Sequence, residues 1–184
     1  MEKTNYVKKL AAQAQSAYKA KKYLLAAELF QTLENEYGAA GNMLAKAEMA
    51  NNRSVALLMA GKSKEAFKAA EKTDKVFIEK NDHIHAAMAL GNQAAALEEM
   101  KHYEEALALY QKSIELLEKT KEPELQALIF KKISALQVRA GRNLEATASM
   151  YAALKNKKKL TGMEKTLKDL LDKLFGLMGI KNKS

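Results

Sequence analysis

The chain has 184 residues, a formal net charge of +9 and no cysteine, so disulfides and thiolate metal sites are excluded. Hydrophobic content of 48% beside 29% charged residues marks a folded chain, and a single proline, Pro123, leaves room for helix after helix. All-α architecture is the expectation. The opening residues hold no uninterrupted apolar core of the kind a secretory signal needs, and no apolar run approaches the roughly 20 residues of a membrane span. A cytoplasmic location without a membrane partner is expected.

Taken in chain order, the elements repeat. A first helix pair, residues 7–40, carries Ala14 in its first helix and Ala26 with Phe30 in its second, on either side of a turn at Lys21. Residues 47–80 repeat the arrangement with Ser54, Ala66, Ala70 and a turn at Gly61. Residues 87–120 follow with Ala94, Ala106, Tyr110 and Lys101, and residues 127–160 with Ser134, Ala146, Met150 and Gly141. Three columns thus recur in phase every forty residues, which is the signature of a repeat architecture. Breaker-rich stretches, "YGAAGN", "EKNDH" and "KTKEPE", separate the units. After "LKNKKKL", residues 162–178 show helical spacing through Met163, Leu167, Leu170, Leu171, Leu174, Leu177 and Met178.

The columns carry a physical meaning. Two small residues flanking a turn let antiparallel helices approach closely at one level, and the residue four after the second fills the joint with the next pair. Glycine suits the left-handed turn position, whereas lysine at 21 and 101 is less comfortable there. The last helix is expected to cap the open apolar end of the stack. A homodimer seam or docking helix is the alternative, with Phe175 expected to be exposed.

This pattern resembles the tetratricopeptide repeat, with residues 87–120 the best match through Leu90, Ala94, Leu97, Tyr103, Ala106 and Tyr110. The forty-residue period is similar to the lengthened-helix variety of kinesin light chains and polarity adaptors. Departures are the absent closing proline, Gln13, Arg53 and Gln93 at a leucine position that only Ile133 satisfies, and Gln137 at a large apolar position. The resemblance implies a single domain over residues 1–184, a right-handed superhelical solenoid of four helix-turn-helix repeats plus the capping helix. It also implies that Ala12, Asn52, Asn92 and Lys132 face a concave groove, where asparagines grip an extended peptide. A side-chain amide offers one donor group and one acceptor, matching a peptide backbone regardless of its sequence. The plainer reading makes both asparagines surface polar residues. Groove columns in the same phase add Glu48, Met88 and Leu128, then Val55, then Met59, Glu99 and Arg139.

Candidate chemistry is sparse. Glu98, Glu99, Glu104 and Glu105 flank a turn and read as a solvated, dipole-compensating surface, with no sequence signal forcing them into a cleft. His83 and His85, at i and i+2, diverge on a helix and make a poor metal pair. "AGKSK" lacks the second glycine and preceding strand of a phosphate loop. No catalytic residue, metal or cofactor is assigned, and an enzyme is not expected.

The expected function is a protein–protein interaction scaffold that binds a peptide or partner segment through Asn52 and Asn92, beside Met59 and Met88, with Lys132 and Arg139 selecting acidic groups. Two alternatives stand beside it. One is nucleic-acid or polyanion binding through the basic fourth repeat, whose residues 121–160 carry a net +6. The other is homo-oligomer assembly through the C-terminal helix.

Overall fold

The computed structural model describes residues 2–178, and among them every regular element is helical. In order these are α1 (Glu2–Lys19), α2 (Tyr23–Ala39), α3 (Met43–Met59), α4 (Ser63–Ala70), α5 (Thr73–Glu79), α6 (His83–Glu99), α7 (Tyr103–Leu117), α8 (Pro123–Arg139), α9 (Asn143–Asn156) and α10 (Gly162–Leu177). The forty-residue period is written into their ends. First helices open at Met43, His83 and Pro123, and second helices at Tyr23, Ser63, Tyr103 and Asn143. The chain divides into two compact units, Met1–Thr120 with α1–α7 and Lys121–Ser184 with α8–α10.

Local chemistry explains the ends. Asn42 and Asp82 cap α3 and α6, each side chain accepting from a backbone N–H at 3.1 Å, that of Ala45 or His85. Pro123 opens α8, where its missing N–H costs nothing. The turns within pairs share one geometry. Lys21, Gly61, Lys101 and Gly141 all lie in the left-handed region, at φ of 59, 75, 65 and 73°. Each is followed by an N–H that reaches back to the helix just ended, as Lys22 does to Ala17 and His102 to Leu97, both at 2.9 Å. Lysine therefore occupies the position expected to be uncomfortable for it.

In the first unit α1 packs on α2, α2 on α3, α3 on α4, and α6 on both α4 and α7. Ala14, Ser54 and Ala94 are buried opposite Ala26, Ala66 and Ala106, as the close-approach argument requires. Phe30, Ala70 and Tyr110, the joint-filling column, are buried too. The second pair departs from the expected plan. Its second helix is broken, because Glu71 is extended (ψ 128°) and Lys72 left-handed (φ 66°). The break frees the Ala70 carbonyl from its helical partner. It is recovered by the Thr73 hydroxyl at 2.7 Å and the Gln93 amide at 3.0 Å. Gln93 also donates to Asp74 at 3.0 Å, and Thr73 lies 2.9 Å from the buried Asn51 side chain. Buried polar groups are thus satisfied by one another across α3, α5 and α6.

In the second unit α8 and α9 form a pair of the same kind, with Ser134 donating to the Ala146 carbonyl at 2.8 Å. Gln137, the polar residue at an apolar position, is buried and accepts from the Ser149 hydroxyl at 2.7 Å. Helix α10 lies against α9 over the expected residues, yet it is seated by a different face. Leu171 is buried and Phe175 packs at a tilt on Tyr151 with ring centroids 5.0 Å apart, while Met163, Leu170 and Leu177 are exposed. Phe175 is therefore half-buried, not the exposed residue of the sequence reading. Tyr151 and Lys168 both donate to Asp172, locking the same face.

Candidate functional site

The residues expected to line a groove fall on solvent-reachable stripes, one per helix. On α3 they are Glu48, Asn52, Val55 and Met59, spaced i, i+4, i+7, i+11, a spacing that keeps them on one face. On α6 the stripe is Met88, Asn92 and Glu99, and on α8 it is Leu128, Lys132 and Arg139. None of these ten side chains is buried, and Asn52, Met59, Met88, Glu99, Leu128 and Arg139 are exposed. The α3 and α6 stripes belong to the first unit, where the two helices touch, and the α8 stripe belongs to the second.

Adjacent amides behave oppositely. Asn51 and Gln93 are buried and spend their side chains on Thr73, Ala70 and Asp74. Asn52 and Asn92, one position away on the same helices, make no side-chain hydrogen bond among the described residues. The fold therefore uses one amide of each neighbouring pair to hold the helix break and leaves the other, exposed at Asn52 and half-buried at Asn92, without a side-chain hydrogen bond.

Asn52 and Val55 open onto a hollow of about 240 Å³ completed by Gln15, Tyr18 and Lys19 of α1 and Phe30 of α2. Its size falls below the roughly 300–1,000 Å³ typical of small-molecule sites, and suits a single peptide side chain. Two aromatic rings beside two amides, Gln15 and Asn52, and the Lys19 ammonium combine apolar contact with polar orientation. A larger hollow of about 570 Å³ lies beside the helix break, with Phe67, Ile78, Leu90, Leu109 and Leu116 as apolar walls. Lys72, Lys75, Lys112 and Lys119 stand at its rim together with Glu71, Asp74 and Glu115. Nothing in the sequence announces this cleft, because "AEKTDK" contains neither glycine nor proline to mark a break.

The glutamate cluster separates into two roles. Glu104 and Glu105 occupy the first turn of α7, as the dipole argument expects, with Glu105 2.8 Å from His102. Glu98 corrects the solvated reading. It is buried, and it accepts from the Tyr110 hydroxyl at 3.3 Å. Burial, and then the Glu98 charge, hold the Tyr110 phenol well above its usual 10.0. That pair sits in the joint between α6 and α7, a packing position with no opening of its own. The histidines stay local: Asp82 spends its carboxylate on the His85 backbone and on the His85 ring at 2.7 Å.

The basic corner at the C-terminal end is partly consumed. Glu164 accepts from Lys157 at 2.7 Å and from Lys131 at 2.9 Å, and it closes a capping box with Thr161. Lys157, then Lys131, then the Thr161 N–H hold this carboxylate far below the usual 4.5. No group of three metal-ligating side chains occurs among the described residues, and no helix there is long and apolar enough to cross a membrane. Comparison with protein-family models and with curated proteins finds no match to this chain.

Proposed function

We propose that this protein is a tetratricopeptide-like interaction module that holds an extended peptide segment along the α3 and α6 stripes. The observation that carries the reading is the division of labour among four amides. Asn51 and Gln93 are committed to the interior, whereas Asn52 and Asn92 recur forty residues apart on touching helices with their hydrogen-bonding groups unspent. Asparagine is a mediocre helix former, so two unspent ones at one register within helices ask for a ligand to use them. The peptide backbone supplies matching donors and acceptors. The hollow beside Asn52 takes one side chain, and Met59 and Met88 give adaptable apolar contact.

In the second unit, Lys132 and Arg139 hold the corresponding register on α8 and add positive charge there. Polyanion binding is the weaker reading, since Glu164 engages Lys131 and Lys157, two of the cations it would use.

The test is selection of binding peptides from a displayed library on the intact chain, followed by titration of a selected peptide. The Asn52→Ala/Asn92→Ala variant should lose about tenfold or more in affinity with an unchanged melting temperature, because neither amide supports the fold. Equal affinity in the double variant would remove the groove assignment.

A further inference from the structure

Helix α10 has two faces, and its own chain uses one. Leu171, Phe175, Lys168, Asp172 and Glu164 anchor it, through packing on α9 and Tyr151 and through bonds to Lys131 and Lys157. The other face carries Met163, Leu167, Leu170, Leu174 and Leu177, exposed by 85, 39, 62, 43 and 89%. Their spacing is four, three, four, three. That is the heptad a/d seam of a coiled coil, narrower than the stripe of a helix buried in a globular core. A monomer gains nothing by displaying five large apolar side chains in one row.

We propose that this seam is a self-association surface, and that a second copy of this chain covers it. Three observations select a copy over other occupants. The 3.5-residue period calls for a partner helix that carries the same period, which a second α10 supplies by two-fold symmetry. The area reaches the threshold: covering the exposed parts of these five side chains completely would bury roughly 600 Å² per copy and about 1,200 Å² for a pair, the lower edge of the range of specific interfaces. The charge permits it as well. The chain carries +9 in all, which opposes self-association, yet α10 itself is neutral, with Lys165, Lys168 and Lys173 matched by Glu164, Asp169 and Asp172. Two copies meet there without net repulsion. The anchored face also presents α10 already folded, so association is spared the ordering cost that a helix of 16 residues would otherwise carry.

Sedimentation of the intact chain across micromolar to hundreds-of-micromolar concentrations tests the inference. The wild type should form a concentration-dependent dimer. Leu170→Glu should weaken it about tenfold or more, with the helical signal and the melting of the dilute monomer unchanged. In this cysteine-free chain Leu170→Cys should yield a disulfide-linked dimer under mild oxidation, an independent readout should the glutamate variant fold poorly. A wild type that stays monomeric throughout overturns the proposal, as does a dimer indifferent to Leu170→Glu without crosslinking of Leu170→Cys. A monomeric Leu170→Glu chain with lowered melting at dilution overturns it too, because the stripe would then be covered by residues of its own chain. Peptide binding through Asn52 and Asn92 is read separately, so the two proposals fail independently.

Discussion

The Ser54 hydroxyl donates to the main-chain carbonyl of Ala66 at 2.8 Å, joining the two helices of the second pair through two buried small residues. In the other unit Ser134 makes the same bond to Ala146 at the same distance. The first and third pairs use Ala14 and Ala94 in place of the serines, so the close approach is kept even where the bond is not.

Volume at this position should therefore matter more than polarity. Ser54→Ala removes one hydrogen bond and should cost about 1 kcal/mol. Ser54→Leu forces side-chain volume between two helices in contact and should cost about 1–3 kcal/mol or more. Urea unfolding of the two variants checks the order. An alanine variant as unstable as the leucine variant would show that the bond, and not the spacing, holds the pair.

The left-handed lysines are a reserve of stability. A side chain at such a position costs about 1–2 kcal/mol, of which glycine gives back part through its greater freedom when unfolded. Lys101→Gly should raise stability by about 0.5–1 kcal/mol, and Lys21→Gly should add to it, since the turns lie in separate pairs. Gly61 and Gly141 show that the turn accepts the substitution. Thermal melting measures the gain; a loss would mean that the Lys101 side chain stabilises its turn.

Acid should loosen α10. The folded-state pKa of Glu164 lies below its ordinary 4.5, so its contribution is present above about that pH and is lost as pH falls below it. Asp172, held low by Lys168 and Tyr151, acts in the same direction from its ordinary 3.8 downward. The melting temperature of Glu164→Gln should thus fall short of wild type near neutrality, and the gap should close as pH drops below 4.5. A gap that is constant with pH would detach Glu164 from the acid response.

What the sequence disclosed follows the range of the forces involved. Ala26, Ala66, Ala106 and Ala146 were readable because close helix packing is set by side-chain size at fixed spacing. Lys21 and Lys101 were readable as turns by analogy with Gly61 and Gly141. The break at Glu71–Lys72 was not, since part of its support is distant: Gln93, on the next pair, shares with the local Thr73 the bond that the Ala70 carbonyl loses. Burial of Glu98 was hidden for the same reason, its Tyr110 partner lying on the following helix. In α10 both faces are apolar, so periodicity identified a helix without saying whether Phe175 or Leu170 turns inward. The Asn52 and Asn92 register follows from the repeat, but the contrast with Asn51 and Gln93 arises only from tertiary packing around the helix break.

The interrupted helix limits how the first unit could be rearranged. Where Ser54 meets Ala66, both partners belong to one pair, and such a pair could be copied or moved with its own fastening intact. The second pair is keyed to the third, because Asn51, Thr73 and Gln93 come from α3, α5 and α6. Deleting or transposing either alone would strip the Ala70 carbonyl of one of its two donors, or leave the buried Gln93 amide without its acceptors. An array lengthened by duplication would have to carry these two pairs together, as one indivisible block.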